Sequence, residues 1–195
     1  MASGPRTRSK LPSRVLQRWR GAWLEVETVD VMLPGERHVA LDIARHPGAA
    51  CVVPFLDDDH VLLIRQYRHA TGGELLEVPA GKLEPGEAPE RCAARELQEE
   101  AGQRPGRLER LASIWTTPGF TDEVIHLYAA FELEGVAQDL QEYELIELLP
   151  TRFTTALEWV WSGRIDDAKS ALALVHAARR LGRLVDAPVP PGSRR

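Results

Sequence analysis

The stretch Gly81-Lys82-Leu83-Glu84-Pro85-Gly86-Glu87-Ala88-Pro89-Glu90-Arg91-Cys92-Ala93-Ala94-Arg95-Glu96-Leu97-Gln98-Glu99-Glu100-Ala101-Gly102 decides the fold. Its first part, counted from Pro79-Ala80 to Gly86, is a loop with two glycines and two prolines. A helix is expected from near Glu87 to about Ala101, with Gly102 as its C-terminal stop. At helical spacing Ala93, Leu97 and Ala101 stack into one stripe with Ala94 beside it, and that stripe faces a core. Glu96, Glu99 and Glu100 share a different face. Like charges at that spacing repel, each i,i+4 pair costing about 0.2 to 0.5 kcal/mol when exposed. The nearby cation is Arg95, which reaches Glu99 one turn on. Charge spacing alone leaves two readings open. One is a solvated acidic face. The other is a site for a hard cation such as Mg2+ or Mn2+, for which carboxylate oxygens are suited ligands. In that second reading Gly81 adopts geometries closed to other residues and brings backbone oxygens close. Arg95 orients Glu99 or contacts phosphate.

Working toward the N-terminus, Glu74 to Val78 read as a short strand. Val61 to Arg68 and Ala49 to Leu56 read as two more, joined by a turn at Asp57-Asp58-Asp59. Residues 22 to 31 and 37 to 44 read as a hairpin around Leu33-Pro34-Gly35-Glu36. A two-stranded unit makes no core by itself, so it must lie on the main domain or on another subunit. The first twenty residues carry six basic residues and no acid, and read as a frayed basic arm or a short helix from Ser13 to Arg20. Toward the C-terminus, strands are expected at Leu108 to Ile114, Glu123 to Leu133 and Glu144 to Leu149, with helices at Thr151 to Ser162 and Asp167 to Leu181. Many strands with few helices make an α+β chain, a mixed sheet covered by helices. The domain reading is a basic arm at 1–21, partly disordered, a β unit at 22–46, a main domain at 47–183 and a disordered tail at 184–195.

At 195 residues and 44% apolar content a full core is available without staples. The formal net charge of -5 argues against a nucleic-acid coat. The two cysteines, Cys51 and Cys92, show no metal spacing, and a reducing, cytoplasmic compartment is the expectation. No apolar run approaches the roughly 18 to 20 residues that span a bilayer, so no membrane partner is expected.

Gly81, Glu87 and Arg95-Glu96-Leu97-Gln98-Glu99-Glu100-Ala101-Gly102 together resemble the Nudix box. That signature is a glycine, five residues, a glutamate, seven residues, Arg-Glu, an apolar residue, any residue, Glu-Glu, any residue, a glycine and a final apolar residue. Only Gln103 departs from it, where an aliphatic residue is usual. Arg65-Gln66-Tyr67-Arg68 and Leu76-Glu77-Val78-Pro79-Ala80-Gly81 resemble the ADP-sugar branch of that family. Thr117-Pro118-Gly119-Phe120-Thr121-Asp122-Glu123 resembles the Ser-Pro-Gly-x-x-x-Glu motif of ADP-ribose pyrophosphatases, with Pro118 sixteen residues past Gly102. Gly163-Arg164-Ile165-Asp166-Asp167-Ala168-Lys169-Ser170 resembles the segment that opens the last helix in these enzymes.

The resemblance implies an α/β/α sandwich and a homodimer whose N-terminal strand unit packs across the dimer, with Trp23 in that interface or in a core. It implies hydrolysis of a nucleoside diphosphate sugar, ADP-ribose giving AMP and ribose 5-phosphate. GDP-mannose, UDP-glucose or NADH are the alternative substrates, and an inactive binding module is the alternative class. Two or three Mg2+ or Mn2+ ions are implied, on Glu96, Glu100 and the Ala80 carbonyl, with Glu99 sharing an ion or orienting the site. The base is implied in the 138–144 loop, Glu142 first and Glu144 second, against a reading of both as ordinary loop acids. Arg68, Arg65, Glu77, Gly119, Phe120 and Glu123 are implied as substrate contacts, with an ordinary strand-edge charge as the alternative for Arg65. Gly81, Glu87, Gly102 and Pro118 are implied as structural positions.

Overall fold

The computed structural model describes residues 10–141 and 144–184. Glu142 and the C-terminal tail from 185 onward lie outside the described residues, as do residues 1–9 of the basic arm.

The chain divides into two compact units. The first holds the residues up to 46 together with 115–123. Its strands β1 (Ser13–Arg20), β2 (Glu25–Leu33) and β3 (Arg37–Arg45) form an antiparallel sheet in the order β1-β2-β3. β1 corrects the expectation of a frayed arm or a short helix. Its arginines have partners across the strand pair: Arg18 donates to Glu27, and Arg20 to Glu25. Glu27, only 5% exposed, also accepts from Arg45, and Arg45 in turn donates to Asp122. The Ala44 N–H donates to the Phe120 carbonyl at 2.7 Å, which ties residues 115–123 to the sheet. Trp23 is 70% exposed and so is no core tryptophan of this chain.

The second unit holds residues 47–114 and those from 124 onward. Its strands are β4 (Ala49–Pro54), β5 (His60–Arg68), β6 (Gly73–Glu77), β7 (Ala80–Lys82), β8 (Gln103–Trp115), β9 (Val124–Gly135) and β10 (Ile146–Arg152). They build two sheets, β10-β5-β6 and β7-β4-β9-β8. β4 runs parallel to β9 and antiparallel to β7, so the second sheet is mixed. β4 is buried on both faces, which is why it reads as an unbroken apolar run. Ala50 and Val52 pack with Cys92, Ala93, Leu97 and Ala101 of helix α1 (Pro89–Ala101). Ala49, Cys51 and Val53 pack toward α2 (Phe153–Trp161) and α3 (Ala168–Arg180). Helices therefore cover opposite faces of the strands, and the layers are α/β/α.

α1 starts at Pro89, two residues later than expected, because a proline is tolerated at the first helical position where its missing N–H is not needed. It ends at Gly102, whose φ of 61° is left-handed. Cys92, not Ala94, completes the apolar stripe. β7, expected as loop, is a three-residue strand whose register puts Gly81 opposite Ala50. Among the described residues no helix is long and apolar enough to cross a membrane.

Candidate active site

The carboxylates of α1 are not a solvated face. Glu96 is 8% exposed and Glu100 is 2% exposed. Both lie on the flank of α1 that meets β7. The Ala80 N–H donates to Glu100 Oε2 at 2.8 Å. Gly81 faces Glu96 so closely that a Cβ added there would fall on the carboxylate carbon and both its oxygens. Gly81 is not among the glycines with positive φ. The glycine is needed for room and not for an unusual backbone angle, which corrects the conformational reading of this position.

Burial pushes the Glu100 carboxyl up to about 8, with Glu96 and Glu144 adding repulsion and the Ala80 N–H opposing it. Burial raises Glu96 as well, with Glu99 and Glu144 adding to it against the pull of Arg95. Two buried acids in mutual repulsion are stabilised by positive charge.

Arg95 supplies some of that charge. Its Nη1 donates to Glu96 at 2.7 Å and to Glu99 at 2.9 Å. Its Nε and Nη2 each donate to Glu87 at 3.0 Å, and Nη2 also reaches the Lys82 carbonyl at 3.1 Å. Hydrogen bonding to Glu87 is the largest influence holding Arg95 protonated. Each nitrogen of the guanidinium is engaged by protein acceptors, so Arg95 orders the helix and loop. The phosphate contact that was one alternative for it finds no support here. Glu87 also accepts from the Glu84 N–H and so fastens the loop ahead of α1.

Arg68 and Glu77 form a bidentate pair across β5 and β6, at 3.0 and 2.6 Å. Glu77 is 1% exposed, and Lys169 Nζ donates to the same Oε2 at 2.9 Å. Buried and bonded to both Arg68 and Lys169, Glu77 anchors Arg68, where a substrate contact was expected of it. Arg68 Nη1 has no hydrogen bond among the described residues. Glu100 is among the charges that hold Arg68 protonated, which brings the guanidinium within electrostatic reach of the buried acids. Arg65 lies on the other side of the β5 alternation, paired with Glu147 and close to Glu74. The structure therefore separates Arg65 from Arg68, which the sequence had grouped.

The loop after β9 is tied to the C-terminal end of α1. The Val136 N–H donates to the Gly102 carbonyl, the Gln138 amide to the Glu100 carbonyl and the Asp139 N–H to the Glu99 carbonyl. These bonds take up carbonyls that a helix end leaves without partners. The charge of Glu144 acts on both Glu96 and Glu100. Pro118, Gly119, Phe120 and Glu123 belong to the first unit. There Phe120 is 58% exposed, and Glu123 accepts from the Thr116 hydroxyl at 2.7 Å.

Among the described residues no three or more His, Cys, Asp or Glu side chains are gathered as a ready metal cage. The donor set here is two buried carboxylates, the nearby Glu99 and the backbone of Ala80. That suits a hard cation that keeps several of its own waters, rather than a closed site. The Glu96 carboxylate seated against Gly81 and the raised Glu100 carboxyl fit the same group.

Lys169 and Ser170 were absent from the expected site. Their signal was a segment resembling the start of the last helix in the ADP-sugar branch, read without any role.

Comparison with known proteins agrees with this geometry. Residues 44–170 match the NUDIX domain. The ADP-ribose pyrophosphatase of Bacillus subtilis (strain 168) is 36% identical over 160 residues, covering 81% of this chain and 86% of that protein. The GDP-mannose pyrophosphatase of Cronobacter sakazakii (strain ATCC BAA-894) is 38% identical over 154 residues, covering 74% of this chain and 80% of that protein. A crystal structure of an ADP compounds hydrolase superposes with a TM-score of 0.77 at 23% identity, over 91% of this chain and all of that one, which shows the fold. With its box carboxylates in one buried cluster and the domain match spanning most of its length, the chain belongs to the Nudix family.

Proposed function

We propose that this protein hydrolyses the diphosphate bond of ADP-ribose, giving AMP and ribose 5-phosphate. The observation that carries the reading is the buried Glu96–Glu100 pair against Gly81, within electrostatic reach of an Arg68 whose Nη1 has no hydrogen bond among the described residues. The similarity to an ADP-ribose pyrophosphatase over most of both chains supports the substrate. In the reaction water adds to one phosphorus, the bond from that phosphorus to the bridging oxygen breaks, and the bridging oxygen leaves on the other phosphate.

Glu96, Glu100 and the Ala80 carbonyl would hold divalent cations, Mg2+ first and Mn2+ second, with Glu99 sharing one of the two or three ions. Bound there, such ions neutralise the diphosphate and favour hydroxide over water. Arg68 Nη1 donates to a phosphate oxygen. Glu144 takes the proton of the attacking water. Its charge acts on Glu96 and Glu100, which supports Glu144 in that role, while Glu142, the first choice from the sequence, lies outside the described residues. Arg95 and Glu87 keep the carboxylates in place.

The assembly is a homodimer through the first unit. Leu16, Trp19 and Trp23, 51%, 56% and 70% exposed, support an apolar contact there. Trp19→Glu is expected to shift sedimentation from dimer to monomer, and an unchanged dimer would move the interface elsewhere. The location is the cytoplasm, supported by the free, buried Cys51 and Cys92.

The test of the activity is a product assay. Purified protein with Mg2+ is given ADP-ribose, GDP-mannose, UDP-glucose and NADH in parallel, and the nucleotides are separated by chromatography. AMP from ADP-ribose, abolished by EDTA, is the expected result. Faster turnover of GDP-mannose, the substrate named for the Cronobacter relative, would keep the chemistry and replace the substrate.

A further inference from the structure

The opening turn of α3 is joined to the candidate site by a buried charge cluster. Asp167 caps the helix, accepting from the Ser170 N–H at 3.0 Å. Lys169 Nζ lies 2.9 Å from Asp167 Oδ2 and 2.9 Å from Glu77 Oε2. Glu77 in turn holds Arg68 by two bonds. Ser170 Oγ accepts from the Val78 N–H at 2.9 Å, which fixes the strand two residues before Ala80. The side chains of Lys169 and Asp167 are 14% and 17% exposed, so these charges are largely withdrawn from water.

Formally the cluster is neutral, with Arg68 and Lys169 against Glu77 and Asp167. Glu77 shares its charge between two cations. Without Lys169 the cluster carries a net negative charge beside a site meant for a polyanion. Arg68 would then be left to compensate the buried Glu77 alone. An incompletely paired charge away from water draws its remaining partner tightly, and that partner is the guanidinium whose Nη1 has no hydrogen bond among the described residues. A lysine placed here only to stabilise the fold would be an expensive choice, since a buried ion pair gains little over well-packed apolar residues.

We infer that Lys169 is a positioning residue for diphosphate binding: from the first turn of the last helix, and steadied by Asp167, it shares the charge of Glu77 with Arg68, so that Glu77 holds the guanidinium less tightly and leaves its Nη1 oriented toward the diphosphate. The inference rests on the reading of Arg68 as a diphosphate contact.

The probe is inorganic pyrophosphate, titrated calorimetrically into the full chain with Mg2+. Lys169→Met is expected to weaken binding about tenfold, the equivalent of about 1.4 kcal/mol. Lys169→Arg, which also bridges Glu77 and Asp167, restores it to within about threefold. In an Arg68→Lys background the Lys169→Met change costs less than about twofold, because the group it acts through is gone. If Lys169→Met fails to fold, Asp167→Asn keeps an oxygen for the helix cap, removes the negative charge that steadies Lys169 and is expected to weaken binding about threefold. Wild-type pyrophosphate affinity in the folded Lys169→Met protein, or in Asp167→Asn where that one does not fold, overturns the inference. So does a Lys169→Met loss of the same size with and without Arg68. A wild-type protein that binds pyrophosphate through Arg68 and Lys169 but cleaves no ADP-ribose would sink the proposed substrate and leave this inference standing.

Discussion

Glu100→Gln is expected to lower kcat by at least about a hundredfold at saturating Mg2+, because the charged group proposed to hold the divalent cation is replaced by a neutral one. The same change has an opposite effect on the metal-free fold. Glu100 is 2% exposed, and burial lifts its carboxyl from an ordinary 4.5 to about 8. Between those values the folded chain holds a proton that the unfolded chain has released. The stability it contributes is complete below about pH 4.5 and is lost as the pH rises toward 8. Glu96 is raised too and adds in the same direction. Glu77 works the other way on the acid side: despite its burial, Arg68 and Lys169 hold its carboxyl low, and its contribution disappears only on strong acidification. In EDTA the melting temperature of the wild type is therefore expected to fall between pH 5 and 8, and Mg2+ to raise it most at the upper end. Glutamine keeps an oxygen for the Ala80 N–H and carries no charge to bury. The variant without metal is expected to be at least as stable as the wild type at pH 8, with a flatter pH profile and a smaller gain from Mg2+. Wild-type turnover at saturating Mg2+ would remove Glu100 from the metal site. A wild-type melting temperature that climbs with pH in EDTA would contradict the buried protonated acid.

Gly81→Ala is expected to have the next largest effect, and for a steric reason. The new methyl group would occupy the volume of the Glu96 carboxylate. Glu96 has little freedom to retreat, since Arg95 Nη1 holds it at 2.7 Å and burial confines it. Gly81 itself is pinned by the pairing of β7 with β4. Overpacking of this kind costs about 1 to 3 kcal/mol. The functional loss is larger than the loss of stability, because a displaced carboxylate no longer meets the cation. The Mg2+ concentration for half activation is expected to rise by at least about tenfold, with kcat lower even at saturation. A wild-type Mg2+ activation curve would show that the carboxylate moves aside at no cost. In contrast to Gly81, Gly102 has the left-handed φ that a helix stop requires, so the two glycines of the box are fixed by different physics.

Much of the fold was legible because periodicity reports burial. The unbroken apolar run from Ala49 marked a strand covered on both faces, and the Ala93, Leu97, Ala101 stripe marked a helix on a core. Ser13–Arg20 was misread because its pattern has no apolar period; all eight residues are exposed, and the strand is held by β2 and by arginine pairs. β7 was missed because three residues carry no period, and its strand character comes from the edge of β4. In the site, fixed spacing revealed the acids of α1. It left Arg65 open between a substrate contact and a strand-edge charge, and the structure puts Arg65 and Arg68 on opposite faces of β5.

From the sequence alone follow the helix, its glycine stop, the acidic face and the family to which the spacing belongs, because each is a local property of residues a few positions apart. Whether that face is wet or buried was beyond it. So were the direction in which each carboxyl titrates, the reason Gly81 must lack a side chain, and the role of Lys169, which is 92 residues from Glu77 in sequence and 2.9 Å from it in space. Those depend on desolvation and on charges brought together from distant strands, and only the tertiary structure determines either.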